Sequence, residues 1–157
     1  MSEKLMSIIK GVQAKPKEGI TKKTCDIYIT NERIICVVLG QSTFINAMIG
    51  NAVAGAMGMV AFSLDANAAA DSKRTKNQGK ALDEMIQKNP GSYDIKFDQV
   101  DEAKSNFKTG FFSTLGIWAP LTVKTYAGKR FFFDIPNKEK DKVKNIIQSA
   151  TNKIKVS

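Results

Sequence analysis

The residues able to do acid–base or nucleophilic chemistry are sparse in this chain of 157 residues, and their spacing assembles no catalytic constellation. Histidine is absent, which removes the usual general base at neutral pH and most soft metal ligands. Cys25 and Cys36 are the two thiols, Ser63 and Ser113 have no histidine to activate them, and Asp98, Asp101 and Glu102 have the pattern of a turn surface. The glycines from Gly50 to Gly58 lack the lysine that closes a phosphate loop. These residues predict neither catalysis, nor a bound metal, nor a cofactor, nor a small-molecule substrate.

Binding chemistry is better represented. The formal charge is +9. The excess favours anionic partners, because lysines raise the local concentration of phosphates and acidic head groups. Candidate anion-binding residues are Lys15, Lys17, Lys22 and Lys23 near the start and Lys73, Arg74 and Lys76 midway. The surplus is spread along the chain, a pattern more often of a solvated surface than of a binding stripe. Basic residues interleave with aromatics from Lys124 to Phe133, but no helix-turn-helix, zinc-finger or RNA-recognition signature accompanies them, and a nucleic-acid partner is not expected.

The second binding feature is apolar. From Phe44 to Ala70 the sequence FINAMIGNAVAGAMGMVAFSLDANAAA carries one charge, Asp65. At the helical period Ala47, Gly50, Ala54, Gly58 and Ala61 line one face, and small residues in such a row let a second helix approach closely. Each glycine costs a solvated helix about 1 kcal/mol against alanine, so packing must stabilise this one. Burial against its own domain or a second copy, insertion into a membrane interface, and a full span all compete for it. A span needs about 20 mostly apolar residues, and Asn46 and Asn51 weaken that reading. A homo-oligomer or a protein partner satisfies the small-residue face most simply, and an anionic membrane surface is the alternative.

The elements that must position these residues are mostly strands. Cys25-Asp26-Ile27-Tyr28-Ile29-Thr30 and Arg33-Ile34-Ile35-Cys36-Val37-Val38-Leu39 predict a hairpin closed by Asn31 and Glu32. In that register Ile29 opposes Ile34, Ile27 opposes Cys36 and Cys25 opposes Val38, giving one face of six apolar side chains. The cysteines then sit diagonally, about 7–8 Å apart, as core residues rather than a redox pair. After the breaker Asn89-Pro90-Gly91, alternation at Tyr93, Ile95 and Phe97 predicts a half-buried strand. Leu121, Val123 and Thr125, the turn Ala127-Gly128-Lys129, and Phe131, Phe133 and Ile135 predict a second hairpin, with Phe132 and Trp118 either exposed or on a second buried face. The run from Phe111 to Trp118 is too irregular to assign. Val143, Ile146, Ile147, Ala150 and Ile154 trace one apolar stripe of a closing amphipathic helix. Ser72 to Lys88 predicts a polar helix with Leu82, Met85 and Ile86 on one side, completing a helical hairpin with the apolar segment.

The order of these motifs resembles the prokaryotic PH-like domains, including the bacterial PH and GRAM-like groups. The matching residues are Tyr28, Thr30, Asn31, Arg33 and Ile34, then Tyr93, Ile95 and Val100, then Gly128, Lys129, Phe131, Phe133 and Ile135. The resemblance implies an α+β fold: a strongly bent antiparallel sheet, or two near-orthogonal sheets, capped by the C-terminal helix. One PH-like domain over residues 1–157 is expected, with a helical insertion over 41–90. Such a scaffold positions loops for binding, and with no catalytic constellation a non-enzymatic binding or scaffolding module is expected. No secretory signal is evident near Met1, and two thiols without a disulfide pattern suit a reducing interior, so a cytoplasmic location, peripheral to a membrane in the alternative reading, is expected.

Overall fold

The computed structural model describes residues 2–41, 70–75, 81–105, 118–150 and 155–156. Among the described residues eight strands form one sheet: β1 (Leu5–Ala14), β2 (Lys23–Thr30), β3 (Arg33–Gln41), β4 (Tyr93–Lys96), β5 (Val100–Ser105), β6 (Trp118–Thr125), β7 (Arg130–Pro136) and β8 (Lys155–Val156). Their order is β4-β3-β2-β1-β7-β6-β5-β8, antiparallel except for β8 on β5, and the sheet is not closed into a barrel. Residues 70–75 are helical, α1 spans Leu82–Lys88 and α2 spans Lys140–Ala150. The α+β class and the antiparallel sheet with its C-terminal helix stand, and the two halves of the sheet are joined through β1 rather than separate.

The β2–β3 hairpin has the expected register, with Ile29 opposite Ile34, Ile27 opposite Cys36 and Cys25 opposite Val38. Neither Asn31 nor Glu32 has the positive φ that the commonest two-residue turns use. Thr30 holds the turn instead, its Oγ1 accepting the N–H groups of Glu32 at 3.1 Å and Arg33 at 2.9 Å. All six predicted face residues, Cys25, Ile27, Ile29, Ile34, Cys36 and Val38, enter the main core with Phe133, Ile135, Val143 and Ile147.

The opposite face of β3 is covered as well. Ile35, Val37 and Leu39 form a second core with Ala70 and Met85, flanked by Tyr28, Leu82 and Ile86. This explains why β3 is a continuous apolar run rather than an alternating one: both of its faces are buried. The predicted polar helix over 72–88 is not continuous, because Ala81 between the 70–75 segment and α1 is extended; within α1 the predicted side, Leu82, Met85 and Ile86, is the side that packs. Its proposed partner, the apolar helix of the hairpin, lies outside the described residues.

The second hairpin forms as expected, with Leu121 facing Phe133 and Val123 facing Phe131, and Phe132 is 48% exposed. Gly128 takes φ +82 in its turn, a conformation that favours glycine. Three strands, β1, β5 and β8, were not assigned from the sequence. Asp101 and Glu102, expected on a turn surface, lie within β5, whose buried apolar residues are Val100 and Ala103. β8 adds two residues beside it. The closing helix buries Val143 and Ile147, with Ile146 and Ala150 packed beside them.

Candidate anion-binding site

β1 pairs with β7 through Gln13–Asp134 and Ala14–Phe133, so the chain beyond Ala14 runs beside the first residues of β7. There the β1–β2 loop and the β6–β7 turn line a cleft of about 160 Å³. Its walls include Lys15, Lys17, Lys129 and Arg130 around Tyr93, Phe131 and Phe132, and none of the lining residues is acidic.

The loop is held by its small residues. Lys17 N–H donates to the Gly91 carbonyl at 2.9 Å, and Gly19 N–H donates to the Pro16 carbonyl at 3.1 Å. Pro16 fits between two glycines: a Cβ on Gly19 would collide with its ring, and one on Gly91 would stand 2.8 Å from its Cβ. Gly91 also takes φ +86. On the other wall Tyr93 and Phe131 stack with centroids 5.4 Å apart, and Lys129 Nζ lies 4.8 Å from the Phe131 ring centre. That cation–aromatic contact orients the ammonium without neutralising it. Burial, and then the neighbouring Cys36 thiol, raise the Tyr93 hydroxyl above its ordinary value.

Of the predicted cations, Lys15 and Lys17 are brought to this cleft and are exposed. Lys22 is not part of the wall: it pairs with Asp134. Lys23 lies in β2 opposite Ala14 and Gln41, and Lys73 sits half-buried in the 70–75 segment. Arg74 has a structural partner. Its Nε and Nη2 each stand 2.7 Å from the Asp26 carboxylate, which also accepts the Gly11 N–H, while Nη1 reaches Asp71 at 2.7 Å. Asp26 is 1% exposed, so this guanidinium compensates a buried charge. Lys76 and the stripe Ala47, Gly50, Ala54, Gly58 and Ala61 lie outside the described residues.

Lys129 and Arg130 complete the site and were not among the predicted cations. Their signal was the basic and aromatic run from Lys124 to Phe133, whose alternation assigns Phe131 and Phe133 inward and leaves the turn lysine and arginine free to line a cleft. Two further exposed apolar residues flank it in sequence, Ile20 in the β1–β2 loop at 87% and Tyr126 in the β6–β7 turn at 67%.

The thiols are free and buried at 0% and 1% exposure. Contact with the Cys36 thiol and burial push Cys25 above the usual range, the reverse of what a nucleophile needs. Asp101 lies 3.6 Å from Lys124 Nζ, and among the described residues no cluster of three acids or thiols could share a metal ion. No helix of the described residues is long and apolar enough to cross a membrane.

No family model and no curated protein matches the chain. Among solved structures it is similar to the C-terminal domain of an unknown protein from Leishmania infantum, with 12% identity and a TM-score of 0.48 over 94% of this chain and 84% of that one.

Proposed function

We propose that this chain is a non-enzymatic, PH-like binding module that docks its cationic loop end on an anionic membrane surface. The observation that carries the reading is the cleft itself: Lys15, Lys17, Lys129 and Arg130 converge from two loops far apart in sequence, with no carboxylate among the lining residues. Such a concentration of uncompensated cations suits a phosphate-bearing head group. Ile20 and Tyr126, exposed on the same two loops, supply the apolar contact that lets a cationic surface settle into a bilayer interface. The second core covers the outer face of β3, so that face is not the surface this reading uses.

Self-association or protein contact through the Gly/Ala stripe remains the other reading of the sequence, and it rests on residues outside the described ones. Co-sedimentation with vesicles tests the docking reading. Vesicles containing phosphatidylserine should carry the protein down, neutral phosphatidylcholine vesicles should not, and added salt should release it. Equal partition onto both, or onto neither, overturns it.

A further inference from the structure

A different surface lies at the start of β1. Along its whole length β1 pairs with β2, from Leu5 opposite Thr30 to Ala14 opposite Lys23. On its other side β7 pairs only with Gln13 and Ala14. Among the described residues, therefore, Leu5–Lys10 has no strand on its second edge. The edge is only partly protected: the pairing with β2 is irregular between Leu5 and Ser7 and between Ile9 and Val12, but the strand between those points is not otherwise blocked. The stretch LMSIIK has no proline, its one charge is terminal, and Leu5, Met6 and Ile8 are 44%, 39% and 38% exposed. A groove of about 540 Å³, lined by Ser2, Lys4, Leu5, Met6 and Asn31, runs at its beginning.

We propose that this edge binds an extended peptide segment of another protein by strand addition, and that the segment carries alternating apolar residues flanked by carboxylates. The backbone groups of Leu5–Lys10 would supply the hydrogen bonds and Met6 and Ile8 the apolar contact. Charge complementarity selects the flanks. Lys4 and Lys10 bracket the edge, and neither has a carboxylate partner among the described residues. The nearest acid in sequence, Glu3, is held bidentately by Arg33 at 2.7 and 2.9 Å. A second copy is the poorer occupant, because its own edge brings Lys4 and Lys10 and no free acid to answer them. Irregular pairing between Leu5 and Ser7 and between Ile9 and Val12 confines regular addition to a short stretch, so the flanking charges must set selectivity.

The test uses two dye-labelled octapeptides with one alternating valine–threonine centre, one flanked by glutamates and one by lysines. Fluorescence anisotropy at low salt should show the full chain binding the glutamate-flanked peptide, and hydrogen exchange should slow at Leu5–Lys10. Ile8→Glu, at an exposed position, should weaken binding about tenfold while the melting curve stays in place. Replacing Lys4 and Lys10 together by glutamate should reverse the preference to the lysine-flanked peptide, again by about tenfold, the scale of two exposed ion pairs. Four results overturn the proposal: no binding of either peptide, protection confined to another surface, a preference unmoved by the charge reversal, or a dimer already protected at Leu5–Lys10 without peptide. None of these depends on the cleft, which the vesicle experiment reads separately.

Discussion

Two arginines show how single side chains hold the sheet together. Arg33 takes Glu3 bidentately and reaches Asp83 at 2.8 Å and Asp94 at 3.0 Å, tying the N-terminal segment, α1 and β4 to the start of β3. Arg74 answers Asp26 beneath the 70–75 segment. Removing a partner from a buried charge costs more than the pair contributes. Arg74→Met should therefore lower the unfolding free energy by about 3–5 kcal/mol, and Asp26→Asn in the same chain should restore much of it. Urea midpoints of the two single variants and the double variant measure this, and additive losses would contradict the coupling. Glu3 behaves differently. Its hydrogen bonds to Arg33 hold its carboxyl below the usual 4.5, so its contribution is present above that value and is lost as pH falls through the lower folded value. A shallow loss of melting temperature below about pH 4.5 should flatten in Glu3→Gln.

Elements were legible where pattern and pairing are local. The β2–β3 and β6–β7 hairpins follow from alternation on either side of a short turn, and α2 from one stripe. β5 was not legible because Val100 and Ala103 are the only apolar residues it buries, and its place depends on β6, reached across residues 106–117. β8 is two residues joining a distant strand in parallel, which carries no sequence pattern. The cation set was half legible for the same reason. Lysine count is local, but the acids that occupy Lys22 and Arg74 come from 112 and 48 residues away. The loop that shapes the cleft depends on Gly91, whose φ of +86 and contact with Pro16 both exclude a side chain. Gly91→Ala should cost about 1–2 kcal/mol and weaken vesicle binding through the displaced Lys15–Lys17 segment. An unchanged midpoint with unchanged binding would show that the β1–β2 loop does not need that support.

At the scale of the whole molecule, the fold separates its jobs. One sheet face packs the main core under α2, and the outer face of β3 packs the second core under α1. The loop end between β1 and β2 brings Lys15 and Lys17 beside Lys129 and Arg130, and Ile20 and Tyr126 are exposed on the same two loops. The opposite end, at the Asn31–Glu32 turn, presents Lys96 opposite Arg33 instead. That separation makes charge position, rather than net charge, the quantity to test. The direct measurement is partition onto phosphatidylserine vesicles of two variants with the same net charge: Lys129→Glu with Lys15→Glu at the cleft, and Lys96→Glu with Lys4→Glu at the far end. The cleft pair should abolish binding at an ionic strength where the far-end pair still binds. Equal losses from both would show that diffuse positive charge, not the cleft, brings the protein to the surface.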